Sequence, residues 1–277
     1  MAGVLYVVAT PIGNLGDLSP RAADILRRVA LVAAEDTRET RKLVDHAGST
    51  ARLISCHAHS DPARLAEILA ALESGQDVAL TTDAGTPGVS DPGPALVARA
   101  REAGILVIPI PGPSAVATAL MVSGFPADRY FFAGFAPRKG PERAAWLERI
   151  KIETATVVCF EAPGRSAALL ADLAEAAGAD RRALLGREMT KRFEEYRAGT
   201  LGELAEGLAS GGELRGEVTL VIEGVPFVPP VPELDQAARV ATALVAAGLE
   251  RSRVAKAVAQ AFGLRRNESY RLVAEDR

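Results

Sequence analysis

The sequence predicts an α/β protein with a parallel N-terminal sheet, a second α/β domain holding a mixed sheet, and a small helical module at the C-terminus. Three observations predict it. Short, continuously apolar runs rich in β-branched residues alternate with helical patterns through the first half, the signature of a parallel sheet covered on both faces. The alternation breaks at Gly124-Phe125-Pro126-Ala127-Asp128 and resumes with more closely spaced strands, which suggests antiparallel neighbours. After the proline-rich, semi-rigid stretch 225–232, only amphipathic helical patterns follow. These breaks place the expected domains at 1–123, 124–225 and 226–277.

A chain of 277 residues with 48% hydrophobic and 24% charged residues has ample material for a core. Its net charge of -3 gives no global nucleic-acid signature, so any polyanion has to be met by a local basic patch. Cys56 and Cys159 lie far apart, and neither a secretory signal nor an apolar run of about eighteen residues is present. A reduced, cytoplasmic location is the expectation, without a membrane.

Residues 4–9, Val-Leu-Tyr-Val-Val-Ala, read as a buried strand. The loop Thr10-Pro11-Ile12-Gly13-Asn14-Leu15-Gly16-Asp17-Leu18 follows, then Ser19 as N-cap and Pro20 as first residue of a helix to about 29. Gly13 and Gly16 depart from the dinucleotide spacing, and no P-loop motif occurs, so neither nucleotide fingerprint applies. A strand at 31–34 runs into Glu35-Asp36-Thr37-Arg38-Glu39-Thr40-Arg41-Lys42. That cluster has two readings: a solvated helix face laced by i,i+4 pairs, or a functional group at a strand end. A third strand at 52–55 leads to Cys56-His57-Ala58-His59, whose thiol and imidazoles hint at a metal, but no partner cluster with ligand spacing appears and no metal is expected.

Asp61-Pro62 opens a helix to about 74, Gly75 ends it, and a strand at 78–80 delivers the longest special loop, Thr81-Thr82-Asp83-Ala84-Gly85-Thr86-Pro87-Gly88-Val89-Ser90-Asp91-Pro92-Gly93. Its glycines permit close approach or positive φ while Pro87 and Pro92 stiffen it, and it exceeds the two to six residues a βα connection needs. A helix at 94–103 and a strand at 105–109 follow. Pro111-Gly112-Pro113-Ser114-Ala115 then makes a third small-residue loop, with a helix opening at Pro113. Ligands of open α/β sheets bind at the carboxyl ends of strands, where all three loops fall.

The second domain reads as strands at 130–133, 156–160, 184–187, 195–198 and 218–222, with helices at 142–150 and 201–209 and a basic loop Pro137-Arg138-Lys139-Gly140. Glu161-Ala162-Pro163-Gly164-Arg165 is another acidic, glycine-bearing turn before a helix. The tail shows helices at 234–246, 251–261 and 267–274. From Glu233 onward, eight basic residues outnumber six acidic ones. The spacing fits a helix-turn-helix, and a packing or dimerising bundle is the competing reading.

Taken together, Ala9 to Ser19, Glu35-Asp36-Thr37-Arg38, Asp83 to Gly93, Pro111 to Ala115 and Glu161 to Arg165 resemble the bacterial 16S rRNA cytidine 2'-O-methyltransferases of the tetrapyrrole-methylase-like superfamily. The resemblance covers nearly the whole chain in register, and Gly85-Thr86-Pro87 stands where tetrapyrrole enzymes tend to have Gly-Asp-Pro. It implies two α/β/α domains with S-adenosylmethionine in the cleft between them, a homodimer, and 16S rRNA of the small ribosomal subunit as partner. Carried over by position, the implied cofactor residues are Pro11, Asp83, Ala84, Gly85, Thr86, Pro87, Val89, Ser114, Ala115, Phe160, Glu161 and Thr219.

Methyl transfer to a ribose hydroxyl is an in-line displacement that needs alignment and exclusion of water, with no metal or covalent intermediate. A positioned base adds to it. Asp17 and Glu35 are the candidates, with His57 third; against them, Asp17 could cap backbone amides and Glu35 could pair with Arg38. Arg38, Arg41, Lys139 and Arg165, with Arg251, Arg253, Arg265 and Arg266 of the tail, are the expected RNA contacts, holding phosphates without reading sequence.

Overall fold

The computed structural model describes residues 2–57, 62–211, 214–227 and 234–274. His59 and Asp61, and most of the proline-rich stretch 225–232, lie outside the described residues. The chain divides into two compact units, Met1–Val225 and Pro226–Arg277.

The first unit holds two five-stranded sheets. In the first, β1 (Val4–Val8), β2 (Leu31–Ala34), β3 (Arg52–Ser55), β4 (Val78–Thr81) and β5 (Leu106–Ile110) pair in parallel in the order β3-β2-β4-β1-β5. The intervening helices are α1 (Pro20–Arg28), α2 (Thr37–Ala47), α3 (Pro62–Glu73) and α4 (Pro94–Glu102). Period-two alternation sorts the side chains. Leu5, Leu31, Ala33, Val78 and Leu80 pack with α3 and α4, whereas Val8, Val32 and Ala79 pack with α1 and α2. Neighbouring β1 and β4 send their connections in opposite directions along the sheet, and that reversal is the crevice where such sheets bind ligands.

The caps follow from local chemistry. The Ser19 hydroxyl accepts the Ala22 N–H at 3.1 Å with Pro20 at the first helical position, and Gly48 closes α2 in the left-handed region at φ 70°.

The second sheet runs β6-β7-β10-β8-β9, built from β6 (Tyr130–Phe135), β7 (Thr156–Glu161), β8 (Arg182–Arg187), β9 (Glu195–Thr200) and β10 (Val218–Ile222). Only β6 and β7 are parallel, so the sheet is mixed. Helices α6 (Gly140–Ile152), α7 (Pro163–Ala177) and α8 (Leu201–Ser210) cover one face. The other face, through Val158, Leu184 and Val221, receives Val116 and Ala119 of α5 (Ala115–Ser123). The helix expected to open at Pro113 therefore begins two residues later, with Ser114 at the N-cap in extended backbone. Pro113 stays in the loop, where its carbonyl has a different task.

The second unit consists of α9 (Leu234–Ala246), α10 (Arg251–Phe262) and α11 (Arg266–Ala274) around Ala237, Ala241, Val254, Val258, Leu264 and Val273. Gly263, at φ 64°, ends α10 and makes the tight turn into α11. Among the described residues no helix is long and apolar enough to cross a membrane.

Candidate active site

The loops after β1, β4 and β5 are bonded to one another rather than merely adjacent. Thr10 and Gly85 exchange backbone bonds, N–H to carbonyl, at 2.8 and 3.1 Å. The Thr10 hydroxyl donates to the Thr82 carbonyl at 3.2 Å, and the Thr86 hydroxyl donates to the Pro113 carbonyl at 3.1 Å. Gly85 sits at φ 82°, a conformation open to glycine, and a Cβ there would lie 3.3 Å from Ile12 Cγ2. The result is a preformed seat.

Beneath it lies a cavity of about 280 Å3 whose walls come from both sheets. Of the residues expected to hold a cofactor, Ala84, Gly85, Thr86, Val89, Ser114, Ala115, Phe160, Glu161 and Thr219 line it. Pro11 and Asp83 instead line a second cavity of about 270 Å3, which shares Ile12, Ala84 and Glu217 with the first. Pro87 packs on the far side of its loop, in a hollow with Pro94 and Val97.

Glu161 is the buried charge of the first cavity. One carboxylate oxygen, Oε1, accepts from the Arg165 guanidinium and from the Ala162 N–H at 2.7 Å. The other, Oε2, is buried with no hydrogen-bond partner among the described residues. An unpaired buried carboxylate oxygen is costly, so a donor from a ligand would settle it. Arg165 is thereby engaged with Glu161 and does not present itself as a free phosphate contact.

Carboxylates gather at the ends of β2 and β4. Glu35 Oε2 accepts the Thr82 hydroxyl at 2.6 Å and the Asp83 N–H at 3.2 Å, which fixes the start of the long loop. The expected Glu35–Arg38 pairing gives way to another: Arg38 clamps Asp36 instead, with Nη2 to Oδ2 at 2.6 Å. Those bonds hold the Asp36 carboxyl down at about 2. Asp83 Oδ1 accepts the Asp36 N–H at 2.9 Å, and burial raises its pKa, with Glu35 and Asp36 adding to the shift.

Asp91, in the wall of the first cavity, is pushed up to about 6 by burial and then by the nearby Glu35 charge. Ser90 just before it adopts φ 66°, an uncommon conformation for a residue with a side chain, and such strain persists where surrounding structure enforces it. Asp17 is placed differently. It lies exposed in a 3-10 turn, Leu15–Asp17, and neither cavity is lined by Asp17 or by His57. Arg41 and Lys139 are exposed. Among the described residues no group of three or more His, Cys, Asp or Glu side chains comes together as a metal site.

Two cavity residues had no sequence signal. Phe135 stacks edge to face on Phe160, centroids 5.5 Å apart, because an irregularity between Phe132 and Phe135, with Gly134 at φ 63°, swings it to that side of the sheet. Asp91 was visible only as one acid in a loop. A preformed, mostly apolar cavity with one acid poised near neutrality and one unpaired carboxylate oxygen suits a cationic ligand and proton removal from a second one.

Comparison with known proteins bears on which ligands these are. Residues 4–205 match the family described as tetrapyrrole (corrin/porphyrin) methylases. The chain is 44% identical to "Ribosomal RNA small subunit methyltransferase I" of Micromonospora olivasterospora, covering 98% of this chain and 87% of that protein. It is 42% identical to the protein of that name from Pseudomonas aeruginosa (97% and 96% covered) and 43% identical to that from Synechocystis sp. (99% and 98%). Among solved structures, uroporphyrin-III-C-methyltransferase from Thermus thermophilus is similar with a TM-score of 0.58 at 20% identity, covering 80% of this chain and 94% of that one. Diphthine synthase is similar with a TM-score of 0.60 at 15% identity, covering 79% and 89%. At these identities the solved structures bear on fold alone.

Proposed function

Because the chain belongs to the tetrapyrrole (corrin/porphyrin) methylase family, and within it to the group of ribosomal RNA small subunit methyltransferase I, we propose that it transfers the methyl group of S-adenosylmethionine to the ribose 2'-hydroxyl of a cytidine in 16S rRNA. The observation that carries this reading is the cavity under three mutually bonded loops, with the unpaired Glu161 Oε2 in its wall. The cofactor fits there: Gly85 and Ala115 allow backbone to approach, Phe160 and Phe135 offer ring faces, and Glu161 offers an acceptor to an amino group. When bound, S-adenosylmethionine supplies an electrophilic methyl on a positively charged sulfur.

The chain's own residues do the rest. With S-adenosylmethionine held against these loops, transfer of its methyl to the ribose oxygen, with the sulfur as leaving atom, would release the hydroxyl proton to the Asp91 carboxylate. This gives Asp91 the role first expected of Asp17 or Glu35: Asp17 is exposed outside the cavities, and Asp91 lines the first cavity whereas Glu35 lines neither, its Oε2 accepting from Thr82 and Asp83. Glu35 is then a positioning residue that also holds the Asp91 pKa up by its charge. Glu35→Gln is expected to shift the acidic limb of the rate profile to lower pH. A limb left in place would remove Glu35 from this role.

Arg41 and Lys139, both exposed, are the candidate phosphate contacts of the first unit. The enzyme acts on small-subunit RNA in the cytoplasm, as a homodimer; the exposed Leu106, Met121 and Val122 support a self-association surface. The test is methylation of purified small ribosomal subunits from a strain lacking the modification, with labelled methyl donor. Label at a ribose of the 16S RNA is expected; label on a porphyrinoid and none on the RNA would overturn the reading.

A further inference from the structure

Charge is distributed very unevenly along the chain. Residues 226–277 contain eight Lys and Arg against six Asp and Glu, a net of +2, so residues 1–225 of a chain of net -3 carry -5. A polyanionic substrate is repelled by an acidic body and needs a local basic patch. The α10–α11 hairpin provides one.

A groove of about 680 Å3 runs along this hairpin, and Arg253, Lys256, Gln260, Arg266 and Tyr270 line it without any acidic residue. No carboxylate of the described residues lies within ion-pair distance of Arg253, Lys256 or Arg266. Many arginines of the first unit, by contrast, are paired: Arg38 with Asp36, Arg143 with Asp172, Arg187 with Glu195. Tyr270 is 40% exposed, with the Arg266 guanidinium 5.7 Å from its ring centroid. Cations flanking an exposed aromatic face are the elements of a seat for unpaired nucleotides, where phosphates meet the charges and a base stacks on the ring. Duplex RNA offers neither a free base face nor a readable deep groove.

We propose that the α10–α11 groove binds a single-stranded RNA segment, with Arg253, Lys256 and Arg266 on phosphates and Tyr270 stacked on a base. The inference rests on the function proposed above and deepens it, naming an unpaired stretch of the substrate RNA as the tail's ligand. It also divides the tail cations, since Arg251 and Arg265 lie outside the groove lining.

The experiment uses the full chain and a labelled, unstructured 12-nucleotide RNA, with duplex DNA of the same length as competitor, titrated across salt. The triple variant Arg253→Gln, Lys256→Gln, Arg266→Gln is expected to bind more weakly and to lower the slope of log affinity against log salt by about 2, from about 0.7 per lost single-strand phosphate contact. Tyr270→Leu is expected to weaken binding about fivefold or more, while Tyr270→Phe stays within about twofold. Unchanged helix content by circular dichroism and unchanged S-adenosylmethionine affinity show that each variant folds. With small subunits as substrate, the triple variant should raise KM at constant kcat.

An unchanged salt slope, a Tyr270→Leu variant that binds as wild type, or a preference for duplex DNA overturns the proposal. These outcomes are separable from failure of the function itself, which the wild-type methylation assay reports without reference to the tail.

Discussion

Asp91→Asn is expected to lower kcat for RNA methylation by about 10²- to 10⁴-fold, the range a positioned base contributes, while S-adenosylmethionine still binds. Wild-type activity should rise with pH through about 6 and level above it, because the base works ionised and the Asp91 pKa lies there. The positive charge of a bound cofactor favours the carboxylate, so the limb should move down under cofactor saturation. In the variant the limb disappears.

Stability should respond in the opposite sense. A carboxyl whose folded pKa is raised above its unfolded value of 3.8 costs the folded state stability once ionised, so the cost is full above about pH 6 and absent below about 4. Asp91→Asn removes it, and the melting temperature should increase at pH 8 but not near pH 4. Loss of rate with a gain in stability is the pattern of a strained functional residue, in keeping with Ser90 at φ 66° beside it. Wild-type turnover by Asp91→Asn would end its assignment as the base.

What the sequence made legible were features encoded by neighbours along the chain. β2, β3, β10 and α9 lie where the residue pattern places them, because apolar period and flanking Gly, Pro and Ser residues mark them locally. The three glycine- and proline-bearing loops after β1, β4 and β5 were legible for the same reason. What escaped depends on partners far apart. Glu35 looks like a free base until Thr82 and Asp83, about 47 residues on, take up its oxygen. Phe135 reaches the cavity through an irregularity that period-two reasoning misses, and the Asp91 pKa arises from burial that no local pattern encodes. Helix α5, apolar nearly all round, packs on the second sheet although its sequence continues the first, which is how Ser114 and Ala115 enter a wall built from both.

The seat itself can be tested apart from the chemistry. Gly85→Val is expected to reduce S-adenosylmethionine affinity at least about 100-fold and to lower the melting temperature by several degrees. The residue stands at φ 82° while its N–H and carbonyl both bond Thr10, so the loop cannot relax φ without breaking the β1–β4 loop bridge. A branched side chain there adds strain of about 1–3 kcal/mol and drives a Cβ to 3.3 Å from Ile12 Cγ2, a wall residue of the cavity. Gly48→Ala supplies the control. Gly48 has φ 70° at the end of α2 with nothing within 4 Å of an added Cβ, so its replacement carries backbone strain without a clash and away from the cavity. It should lower the melting temperature and leave cofactor affinity intact. If Gly85→Val bound S-adenosylmethionine as the wild type does, with calorimetry as the measure, the bonded loops would not be the cofactor seat, and the second cavity, lined by Pro11 and Asp83, would take that role.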